Sequence, residues 1–179
     1  MRCIRVPAVA CGIALLILSA LLPAPALAGK AKVAVLPFVL RDTSMEHLPA
    51  RMKEAERARL AMITAELSDL LLARGMTPID LAGHGGEIDA LQPPWICPPC
   101  GARLAGELGA DIAITGFVHK VSTLIQSITI IVYDVHTQEM LGNASVSIRG
   151  DTDEAWRRGV SFIAQRRRWG PRVEAALED

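Results

Sequence analysis

The sequence predicts an α/β domain in three layers, in which a mixed sheet of about five strands is flanked by helices. Continuous apolar runs rich in valine and isoleucine predict strands that are covered on both faces. Stretches of good helix-forming residues separate the first of these runs, as in domains whose helices cover a sheet. Two later apolar segments are joined by a short polar turn, which predicts an antiparallel hairpin. The expected order of elements is β-α-β-α-β-β-β-α.

The first strand and the first helix have the clearest patterns. Residues 30–40, KAKVAVLPFVL, are almost wholly apolar, and Pro37 either ends the regular ladder or lies at a bulge. Thr43 followed by Glu46 has the spacing of a capping box, so a helix is expected to open at this point. Residues 47–74 then carry an apolar stripe at helical spacing, which predicts a long amphipathic helix packed on the sheet.

The remaining elements are shorter. Residues 76–81 form at best a short strand, and Pro78 places it at an edge of the sheet. Residues 82–94 carry the turn residues of a loop. The other expected elements are a helix over residues 98–109, a buried strand over 111–118, a hairpin of residues 122–135 and 140–148, and a last helix opened by residues 150–154.

The N-terminal segment predicts export. Arg2 and Arg5 precede an apolar run over residues 13–22, and the segment ends in Ala-Leu-Ala, the order of regions in a signal peptide. The run is about ten residues long, whereas a membrane-spanning helix needs roughly 20, which disfavours the alternative of an uncleaved anchor. Residues 1–28 are therefore expected to be removed, leaving residues 29–179 as one periplasmic α/β domain.

The composition of this expected mature chain excludes some partners. It carries 17 basic and 19 acidic residues, a formal charge of −2. Such a chain offers no general electrostatic field to attract nucleic acid or anionic lipid. We expect no nucleic-acid partner and no membrane span after cleavage.

Two resemblances rest on short motifs. Val33-Ala34-Val35-Leu36-Pro37-Phe38, together with Leu108-Gly109-Ala110-Asp111, resembles the α/β domain of three envelope families. These are the Tol-system propeller protein, in its amino-terminal domain, the curli-secretion lipoprotein and the penicillin-binding-protein activator lipoproteins. The resemblance implies a role in envelope assembly and protein contact, without catalysis.

The second resemblance covers most of the chain after residue 28. It is centred on Cys97-Pro98-Pro99-Cys100 and continues through residues 118–125, VHKVSTLI, and 148–159, IRGDTDEAWRRG. These motifs resemble an uncharacterised family of secreted proteobacterial proteins whose domain has no known function. The resemblance supports the fold and export, and it assigns no role to Lys120 or Asp151.

Cys97 and Cys100 are the only cysteines after residue 28. In an exported chain, two cysteines without a third favour one structural disulfide. If a helix opened at Cys97, with Pro98 in its first position, the two side chains would lie about one turn apart. We therefore expect a disulfide between Cys97 and Cys100.

Two alternatives for this pair stay open. The first is a redox dithiol in which Cys97 is the nucleophile and Cys100 the resolving thiol, because a helix N-terminus favours the reactive thiolate. Trp95 would support it, but Ile96 separates Trp95 from the first cysteine, unlike the arrangement in thioredoxins. The second is a zinc site. It would need two more ligands, and the nearest candidates, His84 and His119, lack zinc-ligand spacing.

The other polar motifs are interpreted as structural. Gly83-His84-Gly85-Gly86 lacks the lysine and hydroxyl of a phosphate-binding loop, so a turn is expected there. Asp151, Asp153 and Glu154 suggest a cation site, but Asp151 and Glu154 have capping spacing, which favours a helix cap. Arg166-Arg167-Arg168 would complement the dipole at the end of the last helix. The serines lack the sequence context of a catalytic nucleophile.

The sequence thus favours a periplasmic, non-enzymatic accessory or binding protein of the cell envelope, whose partner is another envelope protein. The alternative is a thiol–disulfide oxidoreductase that uses Cys97 and Cys100. Neither a cofactor nor a metal is expected.

Overall fold

The computed structural model describes residues 30–165. The predicted leader and Arg166-Arg167-Arg168 lie outside these residues. Six strands and four helices follow one another in the order β1 (Lys32–Val35), β2 (Val39–Asp42), α1 (Ala50–Leu72), β3 (Thr77–Pro78), α2 (Gly85–Asp89), α3 (Cys100–Glu107), β4 (Ile112–Lys120), β5 (Ile125–Asp134), β6 (Met140–Arg149) and α4 (Asp153–Gln165). The predicted α/β class and the mixed sheet are confirmed.

The sheet is open, with the strand order β3-β1-β4-β5-β6. Strands β1 and β3 are parallel, as are β1 and β4, whereas β4, β5 and β6 form an antiparallel meander. The predicted hairpin is therefore confirmed as β5 and β6, and the short strand with Pro78 lies at the expected edge. Within residues 30–165, no helix is both long enough and apolar enough to cross a membrane.

The predicted first strand is divided by a bulge at Pro37. Val35 pairs with Ile114 and Val39 pairs with Phe117, so β1 and β2 together use one residue more than β4 over the same distance. Proline cannot donate to the ladder, which explains why the interruption falls there. Phe38, just after the bulge, packs where Gly116 of β4 has no side chain; a Cβ at Gly116 would lie 2.3 Å from the Phe38 ring.

The two faces of β4 are buried against different helices. Ile112, Ile114 and Val118 belong to the larger apolar core, which also contains residues of α1 and α4. Ala113 belongs to a second core on the opposite face, with Ala102 and Ala105 of α3. Because successive side chains of a strand point to opposite faces, odd-numbered residues of β4 face α3 and even-numbered ones face α1. The sheet therefore forms the middle layer of three.

The predicted capping box at Thr43 and Glu46 is wrong. Helix α1 begins later, at Ala50, and its N-cap residue is Pro49. The Thr43 hydroxyl lies 2.9 Å from His119 Nε2, and the Glu46 carboxylate accepts the Thr123 amide hydrogen at 3.1 Å. Both polar groups thus bind the β4–β5 region, which the spacing of a local motif does not reveal.

The second predicted helix also begins later than expected. Helix α3 starts at Cys100, so Cys97 does not open it and Pro98 is not its first residue. The helical conformation is disfavoured for any residue that precedes a proline, and Cys97 and Pro98 both precede one. The helix therefore starts only after the two prolines. The predicted loop over residues 82–94 contains the short helix α2, which begins within the Gly83-His84-Gly85-Gly86 motif.

Candidate functional site

The Cys97 and Cys100 side chains lie at disulfide-bonding distance. Their Sγ atoms are 1.93 Å apart and their Cα atoms are 5.5 Å apart. Cys97 lies in a turn, in which its backbone amide donates to the Pro93 carbonyl at 3.1 Å, and Cys100 is the first residue of α3. The two cysteines thus lie close together where the proline-rich segment meets the start of α3.

The Trp95 side chain holds the proline-rich segment on the sheet. Its ring packs edge-on against Phe117 of β4, with the ring centroids 5.4 Å apart. The Arg41 guanidinium lies over the Trp95 ring, 5.6 Å from its centroid, within the range of a cation–π contact. These contacts give Trp95 a packing role that does not require a reactive cysteine.

The candidate zinc ligands are separated from one another. His84 Nδ1 lies 2.7 Å from Glu87 Oε2, and His119 bonds to Thr43 on another part of the sheet. Among residues 30–165, no group of three histidine, cysteine, aspartate or glutamate side chains is placed to hold a metal ion.

Lys120 is the centre of a buried ion cluster that the sequence did not predict. Lys120, the last residue of β4, is fully buried, and its Nζ lies 2.5 Å from Oε1 of Glu56 on α1, which is 3% exposed. Asp42 Oδ2 and Glu46 Oε2 each lie 3.7 Å from the same ammonium. One cation thus joins the end of β4, the segment after β2 and helix α1.

The cluster shifts the pKa of two of its members. Burial acts to lower the pKa of Lys120, but the hydrogen bond to Glu56 and the charges of the surrounding carboxylates outweigh it and raise that pKa. Burial acts to raise the pKa of Asp42. The hydrogen bonds from the Ser44 hydroxyl and amide, with the Lys120 charge, outweigh burial and lower that pKa. Both groups are therefore held in their charged forms.

A second cation continues the cluster toward α4. Arg59 Nη1 forms an ion pair with Asp151 Oδ2 at 2.8 Å, and its Nε donates to Asp153 Oδ1 at 2.8 Å. Gln126 Nε2 donates to the other oxygen of Asp151 at 3.2 Å. The Arg59 guanidinium therefore neutralises the carboxylates of Asp151 and Asp153, which had suggested a cation site.

The predicted cap at Asp151 is wrong. The Thr152 hydroxyl accepts the Ala155 amide hydrogen at 3.2 Å, so Thr152 caps α4. Asp151 is instead committed to Arg59 and Gln126, and Glu154 forms an ion pair with Arg158 at 3.2 Å. Cap spacing alone could not distinguish the threonine from its acidic neighbour.

An exposed apolar surface lies beside the Lys120 cluster, and we call it the apolar tip. It consists of four large side chains: Met45 is 91% exposed, Val121 50%, Leu124 70% and Ile125 61%. Met45 lies between Ser44, which bonds to Asp42, and Glu46, which bonds to Thr123. The cluster thus holds together the two segments that carry the tip.

Met45 also has an unusual backbone conformation. Its φ of +58° lies in the left-handed region, which side chains other than glycine, asparagine and aspartate rarely adopt. Such strain persists only where the surrounding contacts enforce it, and it concentrates at functional positions. The bonds of Ser44 and Glu46 on either side supply that enforcement.

Comparison with known proteins identifies a family. The family model DUF3280, described as a protein of unknown function (DUF2380), matches residues 31–167. The chain belongs to this family. Its membership confirms the resemblance to a family without a known function, and no curated protein matches the chain.

Several solved structures are similar to this family member. They include the PelC dodecamer from Paraburkholderia phytofirmans, at 13% identity and a TM-score of 0.46, over 78% of this chain and 89% of that one. Lipoprotein GNA1162 from Neisseria meningitidis has 17% identity and a TM-score of 0.47, over 83% and 94%. TolB from Acinetobacter baumannii has 14% identity and a TM-score of 0.44, over 82% and 28%. Similarities at this level define neither the function nor the partner of this chain.

The Lys120 cluster makes a prediction for stability. Lys120→Met should cost about 3–5 kcal/mol of unfolding free energy, because the buried Glu56 carboxylate loses its partner. Adding Glu56→Leu should restore most of that loss, since an apolar pair of similar volume removes both desolvation costs. Urea unfolding of both variants measures the effect. The control is Lys53→Met, because Lys53 is an exposed lysine on α1, the helix that carries Glu56. A double variant as unstable as the single variant would contradict the prediction.

The lowered pKa of Asp42 predicts a dependence on pH. Its stabilising contribution is present above the pKa of the unfolded chain, near 3.8, and is lost as the pH falls through the lower folded value. Asp42→Asn should therefore be less stable than the natural protein at pH 7, and the difference should shrink below about pH 4. Denaturant titrations at several pH values measure it. A difference that stays constant into acid would show that the charge of Asp42 is not its cause.

Proposed function

We propose that this chain is an exported, non-enzymatic accessory protein of the cell envelope, which binds another periplasmic protein through the apolar tip. The leader pattern over residues 1–28 supports export. In this proposal Cys97 and Cys100 form a structural disulfide, which their distance allows and which the oxidising periplasm favours.

The observation that carries the proposal is the exposure of four large apolar side chains on two segments fixed by the ion pairs of the buried Lys120. Large exposed apolar side chains concentrated on neighbouring segments are typical of a protein contact site. Methionine and aliphatic residues suit such a contact because they adapt to a partner's shape. Since the segments are already ordered, little conformational entropy is lost on binding.

The charges around the tip specify the partner's surface. Five carboxylates, Asp42, Glu46, Glu56, Asp151 and Asp153, surround two cations, Lys120 and Arg59. Asp42 and Glu46 remain partly exposed at the edge of the tip. The complementary surface has an apolar centre and a basic rim, and such rim charges strengthen association most at low salt.

The buried lysine itself is unsuited to catalysis. Lys120 has no exposed surface, and three carboxylates hold its ammonium. A catalytic lysine must instead lose its proton and reach a substrate. The cluster therefore supports a structural role, and the Cys97–Cys100 pair is the only feature of residues 30–165 for which we weigh a catalytic alternative.

One prediction of this proposal concerns export and the disulfide. Protein recovered from its native envelope should begin at Gly29, and its intact mass should lack the two thiol hydrogens of Cys97 and Cys100. Replacing both cysteines with serine should cost about 2 kcal/mol, as expected for closing so short a loop. The pair's reduction potential should lie below about −300 mV.

Other outcomes would favour the alternatives. Retention of Met1 would remove the argument for export. A potential between about −120 and −200 mV, together with reduction of insulin by the protein, would support an oxidoreductase instead.

Another prediction of this proposal concerns the partner. Cross-linking in the periplasm, followed by mass spectrometry, should capture an envelope protein whose yield falls about tenfold for Leu124→Gln, because the loss of a central apolar contact costs 1–2 kcal/mol or more. Leu72→Gln is the matched control, since Leu72 is also exposed but lies at the far end of α1. Capture of the same proteins in equal yield by both variants would show that the tip is not the contact.

A further inference from the structure

We propose that two copies of this chain associate through the outer edge of strand β6, with the two β6 strands antiparallel about a two-fold axis near Ser145. The two sheets then form one continuous sheet. This surface is separate from the apolar tip, so the inference goes beyond the proposed function and does not depend on it.

The outer edge of β6 is regular and unprotected. Within the described chain, β6 pairs only with β5. A bulge near its start leaves the stretch from Gly142 to Arg149 in regular register. This stretch contains no proline or lysine, and its one charged residue, Arg149, lies at its end. Natural edge strands are usually protected against pairing by such residues, by a covering element or by being very short.

The opposite side of the same sheet is protected. Strand β3 has two residues, one of which is Pro78, and proline has no amide hydrogen to offer another strand. Strand β2 has four residues, follows Pro37 and ends in the exposed Arg41 and Asp42. The contrast between the two sides of one sheet indicates that the β6 edge is the side that pairs with another chain.

The register shows which backbone groups point away from β5. The Gly150 amide donates to the Leu124 carbonyl at 3.2 Å, and the pairing continues from there along β5 and β6. Bonded and non-bonded pairs alternate in an antiparallel ladder, so the even-numbered residues of the regular stretch bond to β5. The residues that direct their amide and carbonyl groups outward are therefore Asn143, Ser145 and Ser147.

The strand is complementary to a second copy of itself. With Ser145 on the two-fold axis, Asn143 lies opposite Ser147, and outward amides meet outward carbonyls. Antiparallel pairing also brings the end with Glu139, just before β6, near the end with Arg149 of the other copy. Parallel pairing would place like charges side by side. The charges thus favour a second copy in one direction only.

Helix α4 is placed to pack against the α4 of the second copy. A Cβ at Gly159 would lie 2.8 Å from Ile128 Cδ1 of β5 and 2.9 Å from Ile148 Cγ2 of β6, so α4 lies over the gap between these strands. Strands about 4.8 Å apart then place the axis of α4 about 5 Å from the two-fold axis, and about 10 Å from the second α4. Packed helices are separated by roughly 8–10 Å.

The side of α4 that would face the second copy is apolar. Ala155 and Phe162 line a groove of about 270 Å³ against Ile148 of β6, and Phe162 is 42% exposed. The other side of α4 faces α1, where the Ser161 hydroxyl donates to Glu66 at 3.4 Å. Association would therefore remove aromatic and aliphatic surface from water in addition to joining the two β6 strands.

Amide hydrogen exchange, measured by NMR on the exported, oxidised chain, tests the pairing residue by residue. In dilute protein the outward amides of Asn143, Ser145 and Ser147 should exchange rapidly, while those of Ala144 and Val146 are protected by β5. At millimolar concentration the three outward amides should exchange about tenfold more slowly once about nine in ten chains are paired. Sedimentation at the same concentration should give the mass of two chains.

Two variants should remove the association. Ser145→Pro deletes an outward amide without removing a bond to β5, and it should sediment as a monomer where the natural protein is a dimer. Phe162→Lys leaves β6 unchanged, brings two ammonium groups close to the axis and should weaken association about tenfold. Leu72→Lys is the matched control, because Leu72 is an exposed apolar residue at the end of α1, and it should remain dimeric.

Three results would overturn the proposal. These are a single-chain mass at millimolar concentration, a mass that keeps growing beyond two chains, and a dimer that persists in both Ser145→Pro and Phe162→Lys. Leu124→Gln at the apolar tip should remain dimeric, so this association and the capture of an envelope partner fail independently.

Discussion

The interaction on which the rest of the structure depends is the burial of the Lys120 ammonium among three carboxylates. An unpaired ammonium in the interior costs several kcal/mol, so β4, α1 and the segment after β2 must all be in place before the charge is compensated. Glu56 and Lys120 lie 64 residues apart in sequence. A displacement of either element would leave a buried charge without its partner, which disfavours alternative registers of the sheet and helix.

The features that could be predicted from the sequence are those whose signal lies within one segment. The apolar run around Pro37 predicted both a strand and the place where it is interrupted. The two apolar segments of the hairpin, with the polar turn between them, predicted the pairing of β5 and β6. Lys120 and Glu56 were missed because each, taken by itself, only interrupts an apolar pattern. The lysine occupies an inward position two residues after Val118, and the glutamate occupies a position on the α1 stripe seven residues before Ile63. Two such opposite charges on facing elements are a signal that requires the topology to be known first.

Polar groups with several possible partners were the least predictable. Thr43, Glu46 and Asp151 each have side chains suited to a local cap, and in each case a group distant in sequence is bound instead. The energy of a cap, about 1 kcal/mol, is comparable to that of one competing hydrogen bond, and bonds to charged groups are worth more. Local spacing cannot decide between such partners, whereas the helix boundary at Cys100 follows from the proline pair that precedes it.

Strand β4 connects the two apolar cores, which lie on its opposite faces. Thr115 faces α3 and Lys120 faces α1, and five residues of extended strand separate their Cα atoms by roughly 17 Å. Because β4 is hydrogen-bonded on both sides, to β1 and β2 and to β5, it cannot slide without breaking a ladder. The charge cluster that fixes its C-terminal end therefore also fixes the position of Thr115. The apolar tip thus follows the end of a strand that is hydrogen-bonded along both of its edges.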